Sequence, residues 1–183
     1  MRSLQGYLLV ASPHLPDPNF YRTVVLIIQH DEEGAFGVVL NRYADCTLAD
    51  IVEGLDNEIE FDADYVHSGG PVPGPILAIH KLPTCSDSEI MPGVFLATQH
   101  DYVHTIVSDK DEPYRVMMGY SGWAGGQLED EIDQGGWLFT KASVEDIFSS
   151  PECIWKRVTQ RIGLEVLSPG IKPRLLAADP MLN

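Results

Sequence analysis

The sequence predicts an α+β fold: one domain, a mixed β-sheet, and short helices packed outside it. Three observations point there. Short β-branched runs recur along the whole chain, few amphipathic segments separate them, and no repeat, low-complexity stretch or linker divides the 183 residues. Regular alternation of strand and helix, the mark of βαβ winding, is missing. The expected unit is a single domain over residues 1–183, with the proline-bearing tail, residues 168–183, an extended arm laid on the surface.

In chain order, Leu4–Ala11 (LQGYLLVA) reads as a first strand and is too short and interrupted for a secretory signal. A Pro/Asp/Asn-rich loop, Ser12–Asn19, follows. Arg22–His30 and Ala35–Asn41 form two buried strands, joined through the turn Asp31-Glu32-Glu33-Gly34 as a hairpin. Thr47 opens a helix, because Thr47 and Asp50 stand in capping-box spacing and Leu48, Ile51, Val52 and Leu55 share a face. Residues 58–65 alternate strictly: Glu58, Glu60, Asp62 and Asp64 against Ile59, Phe61, Ala63 and Tyr65. That is strand periodicity with four carboxylates on one side.

The tight loop Ser68–Pro75 precedes strands at Ile76–Lys81 and Val94–Thr98, then a helix at Asp101–Ser108. Arg115–Tyr120 is a buried strand running through Ser121–Gly126 into an acidic helix, Gln127–Asp133, whose carboxylates suit the positive end of the helix dipole. Gly136–Thr140 is a strand. Ser143 caps a short helix, and Ser150-Pro151 starts the last one, with Ile154, Val158 and Ile162 inward.

Charge narrows the function classes. Twelve Lys+Arg oppose 27 Asp+Glu, a formal net charge of −15. Residues 1–140 hold 6 basic and 22 acidic side chains, and only the remainder is balanced. A duplex phosphate backbone is repelled by such a surface, so no direct nucleic-acid contact is expected. No apolar run has the length of a membrane span. Three widely spaced cysteines, Cys46, Cys85 and Cys153, without a C-x-x-C pair, suit reduced thiols. The expectation is a soluble cytoplasmic protein.

Four patterns carry possible chemistry. His100 and His104 have the i, i+4 spacing of a zinc helix, but Asp101 replaces the glutamate and a third ligand is missing; surface histidines are the preferred reading, with no metal. Gly119-Tyr120-Ser121-Gly122 approaches a nucleophile elbow without the glycine two residues past the serine. A hydrolase using Ser121 with a histidine and an acid is therefore the alternative reading. Ser68–Val72 offers an anion nest but lacks the residues of a P-loop, so a rigid turn is preferred. Finally, Gln127 and Glu131 share a helix face that Trp123 enters and Trp137 leaves, aromatic edges beside polar groups that could line a pocket; core tryptophans with solvated polar groups are the slightly preferred reading.

Three ordered blocks, Gly6–Arg42, GGPV at Gly69–Val72 and GYSGWAGGQLEDEIDQGGWL at Gly119–Leu138, resemble the AlgH/YqgE family of bacterial proteins. The resemblance implies a bifurcated mixed sheet folded into a pseudo-barrel. It implies no established activity and no cofactor, beside a member described as a regulator of alginate production. The matching motif positions are Pro13, Asp17, Phe20, Asn41, Arg42, Gly69, Gly70, Pro71, Gly119, Trp123, Gln127, Leu128, Glu131 and Trp137; Tyr43 departs from the usual proline. Of these, Asn41, Arg42, Trp123, Gln127 and Glu131 are hardest to explain by backbone geometry or packing and form the candidate binding site. The resulting expectation is a non-enzymatic regulatory or ligand-binding protein, acting through a protein partner or small ligand. The Glu58–Asp64 face serves as a solubilising edge rather than a docking surface.

Overall fold

A computed structural model describes residues 3–13, 15, 17–51, 65–109 and 111–167. Ten strands form one sheet: β1 (Tyr7–Ala11), β2 (Val24–Asp31), β3 (Gly34–Val39), β4 (Tyr43–Thr47), β5 (Tyr65–Ser68), β6 (Val72–His80), β7 (Ser88–Met91), β8 (Val94–Ala97), β9 (Arg115–Ala124) and β10 (Trp137–Lys141). Among the described residues five α-helices accompany them: α1 (Leu48–Ile51), α2 (His100–Ser108), α3 (Gln127–Asp133), α4 (Val144–Phe148) and α5 (Pro151–Leu167). The protein is a single, sheet-dominated domain.

The main path runs β10-β1-β2-β3-β9-β6-β8-β7, and β4–β5 lies off it. The path does not close on itself, so the sheet is a curled half-barrel rather than a full barrel. The branch is at β9. Its last residues, Ser121–Ala124, pair antiparallel with β3, while Met117 and Met118 pair parallel with β5; β6 lines the other edge. Gly119 stands between the two pairings with φ 73°, a conformation that favours glycine, and a Cβ there would lie 2.9 Å from the Val72 carbonyl oxygen. The glycine thus lets β9 turn from one partner strand to the other.

Strand β2 shows why both faces need cover. Val24, Leu26 and Ile28 enter one apolar cluster with Ile147, Ile154, Val158 and Ile162 of α4 and α5. Val25 and Ile27 enter a second on the opposite face, with Trp123, Leu128 and Trp137. A third cluster joins α2 to β5, β6 and β9 through Val103, Ile106, Val107, Val66, Ala78 and Val116.

The hairpin, the acidic helix and the inward face of α5 match expectation. Other elements differ. Thr47, expected to open a helix, instead ends β4, a half-buried strand over Tyr43–Thr47 that pairs with β5. Ser88–Met91, which has no strand pattern of its own, is β7, added antiparallel to β8. The Thr47–Asp50 bond exists, with the Thr47 backbone N–H and hydroxyl both donating to Asp50 at 2.8 Å; α1 is described only to Ile51. Val52, Leu55, the alternating run through Asp64, and the tail 168–183 lie outside the described residues. Among the described residues no helix is long and apolar enough to cross a membrane.

Ser143 caps α4 as expected, in a reciprocal capping box with Asp146. Asp146 is 1% exposed and also accepts from Arg157 at 3.0 Å and Arg161 at 2.7 Å, binding α4 to α5. Burial opposes its charge, yet hydrogen bonds from Arg161 and Ser143 hold its carboxyl below the usual range.

Candidate functional site

The end of β9 carries Trp123 into the second cluster, and the chain then reverses through Gly125 and Gly126 into α3. Gly126 sits at φ 78° as the residue before the helix. Gln127, first in the helix, folds its side chain back so that Oε1 accepts from the Ala124 N–H at 3.0 Å. One turn on, Glu131 lies on the same face, and Gln127 Nε2 donates to its Oε1 at 2.9 Å. The other carboxylate oxygen accepts two indole N–H groups, Trp123 at 3.0 Å and Trp137 at 2.7 Å. Indole N–H groups of buried tryptophans need an acceptor, and a carboxylate supplies a charged one for both.

Phe20 completes the aromatic wall. It follows a short 3₁₀ turn, Pro18–Phe20, capped by Asp17, which accepts from the Asn19 N–H at 2.8 Å. The Phe20 ring stacks on Trp123 at 6.2 Å and meets Trp137 edge-on at 5.2 Å; the two indoles are 5.8 Å apart at 77°. Beside these rings opens a cavity of about 470 Å³, lined by Leu15, Asp17, Phe20, Pro71, Val72, Gly122, Trp123, Gln127, Glu131, Gln134 and Gly136. Among the described residues its lining holds two acids and no base. A ligand carrying positive charge or several hydrogen-bond donors fits that lining, and an anion does not.

Trp123, Gln127, Glu131 and Trp137 are therefore one constellation; both tryptophans belong to the core, and Trp123 also lines the cavity while Trp137 stands behind it on Glu131. Asp17, Phe20 and Pro71 also belong to the lining; the sequence marks them through their place among the matched motif positions, and Pro71 also through the Ser68–Val72 turn. Asn41 and Arg42 are not part of it. Asn41 accepts from the Val24 N–H and donates to the Arg22 carbonyl, both at 2.8 Å, and Arg42 donates to the Tyr21 carbonyl at 3.2 Å. They fasten the turn at Arg22, whose φ of 54° is unusual for a residue with a side chain.

The remaining patterns separate. Ser121 is not at a strand-to-helix turn but inside β9, fully buried, its hydroxyl donating to the Gly69 carbonyl at 3.2 Å. It is a structural hydroxyl in this position, and no elbow presents it. The Gly69-Gly70 pair crosses β9 closely: a Cβ on Gly69 would lie 2.3 Å from the Gly119 oxygen, and one on Gly70 2.3 Å from Tyr120 backbone atoms. His100 and His104 both belong to α2, with His100 as its first residue. Cys46 and Cys85 sit in β4 and a short 3₁₀ turn and pack against the third cluster; Cys153 is exposed.

An AlgH-like family profile matches residues 8–167. The chain belongs to the AlgH-like family. Relatives include UPF0301 proteins of Myxococcus xanthus, 35% identical over 90% of this chain and 94% of the relative, and of Thermobifida fusca, 36% identical over 99% and 96%. The solution structure of the AlgH protein from Pseudomonas aeruginosa superposes with a TM-score of 0.75, 29% identity, and coverage of 92% of this chain and 95% of that one. A Corynebacterium diphtheriae crystal structure, 24% identical with a TM-score of 0.67 over 85% of each chain, shares the AlgH-like fold.

Proposed function

We propose that this AlgH-like protein is a non-enzymatic, cytoplasmic ligand-binding protein of regulatory type. In this reading the Trp123–Glu131 cavity holds a small ligand, and occupancy is passed on through protein partners. The observation that carries the ligand site is the Glu131 carboxylate, fixed by three donors from α3, β9 and β10 at the wall of a cavity with acidic and aromatic lining. A group held by so many bonds is already in place when a ligand arrives, which lowers the cost of ordering the site. Asp17 adds a second carboxylate and Phe20 and Trp123 add ring faces, so the favoured ligand is a small organic cation with N–H donors and a flat body.

The regulatory part rests on the family resemblance, and the preference for protein partners over DNA rests on the charge of −15. Free cysteines suit a reducing compartment. The ligand site is tested by following the indole N–H resonances of Trp123 and Trp137 while benzamidine or benzoate is added. The cation should shift both in a saturable way and the anion neither. Equal response to the two, or none to either, removes the site from this account.

A further inference from the structure

At the opposite end of β9 from Trp123 lies a charge of the other sign. Arg115, the first residue of the strand, is 5% exposed, and among the described residues no carboxylate stands within ion-pair distance of it. Its Nε donates to the Ile147 carbonyl at 2.5 Å, Nη1 to the Leu40 carbonyl at 3.0 Å and to His67 Nε2 at 2.7 Å, and Nη2 to the Ser149 carbonyl. Four of its five N–H groups are used in this way, all on neutral acceptors. A buried guanidinium left without a counter-ion is costly, and such a charge is ordinarily met by an anion.

Arg115 forms part of a second cavity, about 250 Å³, with Tyr43, Tyr65, His67, Ser149 and Ser150 among its lining; among the described residues that lining carries no carboxylate. The contrast with the acidic surface of the chain is marked. Because a guanidinium only donates, His67 Nε2 accepts and its proton lies on Nδ1. That Nδ1 is buried and makes no hydrogen bond of normal geometry, although backbone groups of Val116 and Tyr65 lie close. Burial, with the charge of Arg115, pushes the imidazole down to about 4, so His67 is neutral and leaves the guanidinium as the local charge. The 17-residue helix α5 begins at this mouth with Pro151, its positive dipole end adding to the field. Tyr43 and Tyr65, both partly exposed, hold their rings 4.9 Å apart at 51°. One acid stands nearby: exposed Glu152 accepts from Ser150 and Tyr43 and acts on Arg115 through space.

We propose that this cavity is an oxyanion site that takes a small phosphate or carboxylate carried on a planar ring. The oxyanion meets the Arg115 guanidinium and the ring lies on Tyr43 and Tyr65. The site is separate from the Trp123–Glu131 cavity and has the opposite charge preference, so either can fail without the other.

The test is a titration of the whole chain with phenyl phosphate, inorganic phosphate and benzamidine, read on the Arg115 side-chain N–H resonances. Phenyl phosphate should shift them saturably, inorganic phosphate should do so more weakly, and benzamidine should leave them unmoved. Arg115 also ties down three carbonyls, so the decisive variants are at the rim. Tyr65→Ala should weaken phenyl phosphate by up to about tenfold while sparing inorganic phosphate. Glu152→Gln should strengthen both, because it removes a like charge from the mouth. Absence of saturable shifts, or binding that neither variant alters, overturns the site; equal affinity for the two phosphates overturns the role of the ring.

Discussion

The Glu131 carboxylate lies 2.7 Å from the indole nitrogen of Trp137, and the same oxygen also accepts from Trp123. Two strands and one helix are joined at a single atom. Glu131→Ala leaves two largely buried donors unmet, and urea unfolding should show a loss of about 2–3 kcal/mol. Glu131→Gln keeps one acceptor oxygen and should lose less. An alanine variant as stable as the parent, with unchanged near-ultraviolet tryptophan dichroism, would contradict this role.

Asn41 should matter to stability and not to binding. Its amide holds both sides of the Arg22 turn, where a residue with a side chain adopts φ 54°. Asn41→Ala is expected to cost about 1–2 kcal/mol in chemical denaturation, through the loss of two hydrogen bonds to backbone. Benzamidine affinity, measured on the same variant, should stay as in the parent.

Gly70 has no room for a side chain. At φ 154°, an added Cβ would sit 2.3 Å from Tyr120 backbone atoms and 2.4 Å from the Ser121 hydroxyl. Because backbone cannot yield as a flexible side chain does, Gly70→Ala should lower the unfolding free energy by about 3 kcal/mol or more, a core-overpacking cost. Gly93→Ala is the control: its Cβ would meet nothing within 4 Å, so its smaller penalty comes from φ 78° alone.

Two buried imidazoles set an acid limit. Burial pushes both His67 and His80 from 6.5 to about 4, with the charge of Arg115 adding to the effect at His67. In the window between those values the unfolded chain binds more protons than the folded one, so stability falls as pH falls. The contribution is whole above about pH 6.5 and is lost progressively toward pH 4. Urea midpoints at pH 7 and pH 5 should differ, and the difference should shrink in a His67→Gln, His80→Gln double variant. Asp146 and Asp87, both held below the ordinary carboxylate value, act only in more acid solution.

What the sequence makes legible is local. The hairpin of β2 and β3 is visible because apolar β-branched residues flank a turn, and α3 because acids crowd its start. The pairing of Gln127 with Glu131 follows from helical spacing alone, and their meeting with both tryptophans is anticipated by position around the helix. Less legible is whatever depends on a distant strand. Tyr43–Thr47 and Ser88–Met91 have no strong pattern of their own and become strands through the neighbours they pair with. Asn41 and Arg42 look like site residues because polar groups at matched positions invite that reading, whereas their partners are backbone groups near Arg22. Arg115 carries no local sign at all. It is a lone cation in a β-rich run, and its surroundings arrive from Leu40, His67 and α4.

The most direct measurement of the central claim is calorimetric titration of the parent protein and of Glu131→Gln with benzamidine, benzamide and benzoate. Saturable binding is expected in the order cation, neutral amide, anion, with a loss of about tenfold or more in benzamidine affinity when Glu131 becomes glutamine. Binding of benzoate at least as tight as benzamidine, or benzamidine binding indifferent to Glu131, would contradict it.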